Sequence, residues 1–158
     1  MGPRFIEKES FRVAGLAIRT NEEENRLHGT ISSFWNRVRR DEAFWEELQK
    51  IAVGSATLGL STNFDGRDFL YWIAREIRAG SDVPEGMHSV TIPAQRYAVF
   101  TSAGKFPQSI WETVDFIYND WLKRPGHRRA GGPDFEVYDS RYDAATGSGE
   151  VDLYIPIE

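Results

Sequence analysis

The apolar–polar rhythm of the chain changes period several times, and each change marks an element. Over residues 5–19 the period is two: Phe11, Val13, Gly15 and Ala17 alternate with Arg12, Ala14, Leu16 and Ile18, and the far end is apolar on both sides. This predicts a strand near the middle of a sheet. Residues 21–25 are charged and predict a loop or a helix lead-in. Over residues 30–50 the period lengthens. Ile31, Trp35 and Val38, with Phe34 beside them, make one stripe at helical spacing. Asp41 opens a second short helix as an N-cap, ahead of an apolar face of Phe44, Trp45 and Leu48. Period two returns in residues 56–64 and 68–77, around a turn in which Asp65 and Gly66 supply the backbone with positive φ. Residues 80–86 carry Gly, Ser, Asp and Pro and read as a loop.

The same succession then starts again. Residues 88–102 predict a strand pair, or one bent strand, with Pro93 at the break. Pro107 suits a helix start, and Ile110, Val114, Ile117 and Trp121 share one helical face. After a loop at residues 123–133 come a strand at 135–141, a turn at 144–149 and a last strand at 151–157. In that last strand Val151, Leu153, Ile155 and Ile157 point one way, and Asp152 and Tyr154 the other.

Aligning the two passes exposes an internal repeat. Phe11 to Leu16 match Gln95 to Phe100; Ile31, Trp35 and Val38 match Ile110, Val114 and Ile117; Asn63 to Asp65 match Arg141 to Asp143; Leu70-Tyr71 match Leu153-Tyr154. The offsets of 84, 79, 78 and 83 drift by only a few residues. The prediction is an α+β architecture. It consists of two pseudo-symmetric strand–helix–strand–strand repeats, about 1–80 and 87–158, in an antiparallel sheet with helices on one face and a ligand cleft between the repeats. The whole of 1–158 is then expected to be one domain.

Composition narrows the function. The 13% aromatic share, with five Trp, six Tyr and ten Phe, is high for this length and suits a core or an aromatic-lined pocket. The net charge of −5 argues against a nucleic-acid surface, and the basic cluster of Arg124, His127, Arg128 and Arg129 lies in a Gly/Pro-rich loop. With no cysteine, disulfides and thiolate chemistry are excluded. His28, His88 and His127 are too scattered for a metal site. No Gly-x-Ser-x-Gly or P-loop pattern is present, so neither metal nor cofactor is expected. Without a leader-like or spanning apolar run, a soluble, cytoplasmic protein is expected, with no membrane partner.

Several segments together resemble the GyrI-like small-molecule-binding domain, which is also the effector-binding domain of AraC-type and MerR-type multidrug regulators. They are Gly86-Met87-His88, Ile92-Pro93-Ala94, Tyr97 to Phe100 with Gly104, residues 131–139 (GGPDFEVYD) and the closing VDLYIPI of 151–157. The resemblance implies two strand–helix–strand–strand modules around a cleft that takes bulky cationic aromatic molecules, with an acidic residue among aromatic side chains. Glu136 matches that acidic position. The resemblance also implies two alternatives: hydrolases that open the cyclopropane of DNA-alkylating natural products, and protein-partner modulators such as gyrase inhibitors. The chain has no helix-turn-helix segment beside the domain, so no direct DNA binding is expected.

The candidate ligand-binding residues are Glu136, Tyr71, Tyr138, Trp111 and Tyr154; in an enzyme, Glu136 and Tyr71 would be catalytic. Strand alternation puts Glu136 and Tyr138 on one face. A carboxylate beside a phenol in an apolar cleft can neutralise a cation or take a proton from water. The repeat makes Tyr71 and Tyr154 symmetry mates, expected on the face opposite the aliphatic residues. Trp111, one position off the Ile110 stripe with Asp115 and Tyr118 on its own side, has two placements open to it, over the cleft edge or against the loop after the helix.

Overall fold

The computed structural model describes residues 2–158. The elements run β1 (Arg4–Lys8), β2 (Phe11–Asn21), α1 (Glu22–His28), α2 (Thr30–Arg39), α3 (Glu42–Ile51), β3 (Thr57–Thr62), β4 (Asp68–Ile77), β5 (His88–Ile92), β6 (Gln95–Lys105) and α4 (Gln108–Asn119). A 3₁₀ turn (Trp121–Lys123), β7 (Asp134–Tyr138), β8 (Tyr142–Asp143) and β9 (Ser148–Ile157) complete the chain. The strands form one antiparallel sheet in the order β1-β6-β9-β7-β3-β4-β2-β5, with β8 beside β9.

Read from its centre outwards, that order is a palindrome: β7 mirrors β3, β9 mirrors β4, β6 mirrors β2 and β1 mirrors β5. The register fixes the equivalence residue by residue. Gly15 pairs with Ala74, which pairs with Leu58; Val99 pairs with Tyr154, which pairs with Phe135. The shift that carries β2 onto β6 therefore carries Ala74 onto Tyr154 and Leu58 onto Phe135. It also carries Gly59 onto Glu136, and these two residues pair directly across β3 and β7. The pseudo-two-fold axis passes between Gly59 and Glu136.

The outer strands are exchanged between the halves. β1 precedes β2 but pairs with β6, and β5 precedes β6 but pairs with β2. Only Glu9 and Ser10 separate β1 from β2, although these strands lie near opposite ends of the sheet. So short a link requires the sheet to curl. Lys8 on β1 comes within 3.8 Å of Glu76 on β4, whereas five flat strand spacings would put roughly 24 Å between them. Phe11 on β2 also meets the ring of Phe135 on β7 at 5.7 Å. Thus the expected single strand over residues 5–19 is two strands, because the chain crosses from one end of the sheet to the other at residues 9 and 10.

Two cores result. The inside of the curl holds strand residues alone, among them Phe11, Val13, Leu60, Trp72, Ile92, Tyr97 and Phe135. The other face carries the helices: Phe34, Trp35 and Val38 of α2, Phe44 and Leu48 of α3 and Ile110 and Ile117 of α4 pack on Ile73, Phe100, Leu153 and Ile155. Helices thus cover one face, as expected. Asp41 caps α3, its Oδ1 accepting from the Phe44 N–H at 3.1 Å. Residues 21–25 belong to α1 and its cap: Asn21 Oδ1 accepts from Glu24 N–H at 2.8 Å. The strand expected to reach residue 141 stops at Tyr138, where Asp139 takes the Arg141 guanidinium and N–H and turns the chain. Among the described residues, no helix is long and apolar enough to cross a membrane.

Candidate ligand-binding site

The pair on the pseudo-axis is chemically lopsided. Glu136 projects from β7 on the helix-bearing face, and the residue opposite it has no side chain. A Cβ on Gly59 would run into the Tyr71 hydroxyl and Glu136 Oε1. Glycine here is a matter of space, since its backbone is ordinary extended strand. The room left above Gly59 lets Tyr71 lean in from β4.

The Tyr71 and Tyr138 hydroxyls both donate to Glu136 Oε1, at 2.9 and 2.8 Å. Trp35 Nε1 of α2 donates in turn to the Tyr71 oxygen at 3.0 Å. The Trp35 and Tyr138 rings meet edge-on at 4.9 Å, so the two phenols are held by packing as well as by hydrogen bonds. Burial pushes the Glu136 carboxyl up to about 7; the hydrogen bonds from Tyr138 and Tyr71 pull it back and the nearby Asp134 carboxylate adds to the rise. Tyr71 and Tyr138 are raised well above the usual phenol range, first by burial and then by the Glu136 charge, so both remain proton donors.

Glu136 opens onto a cleft of about 780 Å³ between α1 and α2 of one half and α4 of the other. Ile31, Phe69, Phe106, Ile110, Val114, Leu153 and Ile155 give it apolar walls. One end of the floor carries a second carboxylate, Asp134, two residues before Glu136. Arg129 binds Asp134 at 2.9 Å and also donates to the Tyr118 hydroxyl at 3.0 Å. Burial raises Asp134 while Arg129 opposes the rise. Burial, with the Asp134 charge, pushes Tyr118 to about 12. The two floor carboxylates therefore differ: Asp134 has a resident cation and Glu136 has only phenols.

Of the residues singled out from the sequence, Glu136, Tyr71 and Tyr138 converge, and Trp111 lines the cleft nearer its mouth. Tyr154 does not join them. It lies on the other face, stacked on Phe135 at 4.6 Å inside the curl, and Tyr71 stands with the aliphatic residues Ile73 and Leu153 rather than opposite them. The alignment of Leu70-Tyr71 with Leu153-Tyr154 is three residues out of register. A slip by an odd number turns every side chain to the other face. Sequence reasoning also missed the parts played by Gly59, by Asp134, by Arg129, which it read as one of a basic cluster in a loop, and by the bond from Trp35. An isolated glycine inside a strand is itself a sign of close approach, so Gly59 was within reach; the others depend on strand order.

The sequence profile of the family described as integron-associated effector binding protein, Cass2, matches residues 4–157. The transcriptional regulator BrlR of Pseudomonas aeruginosa is 34% identical over 158 residues, which are 99% of this chain and 56% of BrlR; the chain thus spans about half the length of that relative. Among solved structures, SAV2435 bound to tetraphenylphosphonium superposes with a TM-score of 0.82 at 19% identity, covering 100% of this chain and 94% of that one. The Vibrio cholerae integron cassette protein superposes with a TM-score of 0.75 at 22% identity, covering 99% and 96%.

Proposed function

Because the chain belongs to the family of integron-associated effector-binding proteins, we propose that its cleft binds hydrophobic, cationic aromatic small molecules with Glu136 as their counter-charge. The observation that carries this reading is the set of partners around Glu136. It is a carboxylate at the floor of an apolar cleft, bound by two phenols and by no Lys, Arg or His among the described residues. A buried carboxylate so placed is under-compensated, and a cation entering the cleft would both pair with it and favour its ionised form. Aromatic walls add attraction for a cation's positive face without demanding one pattern of hydrogen bonds, which suits a range of ligands.

Tetraphenylphosphonium, the ligand of SAV2435, is a suitable probe because its charge does not titrate. Calorimetric titration is expected to give saturable binding to the wild type. Glu136→Gln is expected to weaken it at least about tenfold while sparing triphenylphosphine oxide, a neutral molecule of related shape. Equal loss for both would overturn the counter-charge role.

A second reading draws on the carboxyl pushed to about 7, a value suited to a general base near neutrality. In a hydrolase, Glu136 would take a proton from water as the water oxygen bonds to a cyclopropane carbon. The breaking ring bond would send its electron pair into a conjugated carbonyl, with Tyr71 or Tyr138 donating to that oxygen. Mass analysis decides between the readings. A water adduct formed faster than in buffer, and lost in Glu136→Gln, supports catalysis; ligand recovered intact leaves binding alone.

A further inference from the structure

A side chain of one half reaches the other across the mouth of the cleft. Arg26 of α1, in the first half, reaches across to α4, in the second. Its Nη2 lies 2.9 Å from Asp115 Oδ1 and its Nη1 lies 3.4 Å from Oδ2, a two-pronged grip. The same guanidinium sits over the Trp111 ring, 5.3 Å from its centroid, and its Nε is 3.4 Å from Glu22 of its own helix. Trp111 and Asp115 stand one helical turn apart on α4 and line the same cleft as Glu136. An aromatic face beside a carboxylate is a place for a cation, and here the chain supplies one.

The element that delivers Arg26 lies on the surface, tied to α2 by Asn25 Oδ1, which accepts from the Ile31 N–H at 3.0 Å. No residue of α1 is buried, and Gly29, at φ 62, both ends α1 and starts α2. Lifting α1 therefore disturbs no core. Exposed ion pairs and exposed cation–aromatic contacts are each weak, so another cation can compete for the position.

We propose that Trp111 and Asp115 form a second cation seat at the mouth of the cleft, filled in this structure by the chain's own Arg26. The preferred ligands are elongated dications, one positive group at Glu136 and the other displacing Arg26. This rests on the Glu136 reading above and adds a charge count and a length to it. Two linked contacts gain over one only when the linker matches the span, so affinity should peak at one ligand length.

The test compares bis(triphenylphosphonium) alkanes of increasing chain length with the matching alkyl triphenylphosphonium monocations, by calorimetry. In the wild type, the ratio of dication to monocation affinity is expected to peak at one length. Asp115→Asn should bring that ratio toward unity. Arg26→Gln, which removes the internal competitor, should raise it about fivefold. A ratio that is flat with length, that survives Asp115→Asn, or that falls in Arg26→Gln would overturn the second seat. Monocation binding separates the two claims. If it is no weaker in Glu136→Gln than in the wild type, the Glu136 reading fails and the second seat falls with it; if it is weaker and the dication ratio is flat, only the second seat fails.

Discussion

A carboxyl that burial holds at about 7 is half protonated at neutral pH, and this ties both binding and stability to proton concentration. A permanent monocation should bind the ionised form. Its affinity is therefore expected to fall roughly tenfold per pH unit below about 7 and to level off above it; titrations with tetraphenylphosphonium between pH 5 and 9 measure this, and Glu136→Gln should flatten the curve. Stability runs the other way. The folded value lies above the ordinary 4.5, so between those two values the folded chain holds more protons than the unfolded one, and stability falls as pH rises through that window. Melting temperature against pH should show this slope, reduced in Glu136→Gln, with a remainder from Asp134, which is raised as well. Asp152 is the opposite case: against the effect of burial, hydrogen bonds from Arg141, Arg4 and Thr101 hold it at about 2. Its contribution is present above its ordinary 3.8 and is lost as pH falls toward 2.

At the scale of elements, β3 has one unusual requirement. Alanine suits a strand at least as well as glycine does, yet a methyl at position 59 would meet the Tyr71 hydroxyl and Glu136 Oε1, and Tyr71, at 1% exposure, has nowhere to retreat. Gly59→Ala is expected to destabilise the fold by about 1–3 kcal/mol, read by urea denaturation, and to weaken cation binding by moving the Tyr71 hydroxyl. The elements were mostly legible in the sequence, because period two and period 3.6 are local properties; α2, α3 and α4 and their apolar stripes follow directly from it. The common face of Glu136 and Tyr138 follows from the same alternation. The approach of Tyr71 needs the strand order, in which β4, β3 and β7 lie side by side. The misplacement of Tyr154 shows the limit: a repeat matched on hydrophobicity tolerates a three-residue slip, whereas the orientation of a side chain tolerates none of odd size. The bridge from Arg26 to Asp115 spans 89 positions and has no local signature.

The whole molecule is held by reciprocity. Each half lends its outer strand to the other, β1 covering β6 and β5 covering β2. A fragment ending at residue 86 would keep β1 without its partner and leave β2 with an open edge, a template for self-association. Neither half expressed alone is expected to show a cooperative thermal transition by circular dichroism, while mixing the two should restore one. The same arrangement bears on where the charge sits. A strand-swapped dimer of identical units would place the same residue on both sides of its axis. Two glutamates there would repel and share a proton; two glycines would offer no charge at all. A single chain is free of that constraint, and here one half contributes the carboxylate while the other contributes the emptiness beside it. A lone negative charge at a symmetry centre is thus open only to a pair of siblings that have stopped being twins.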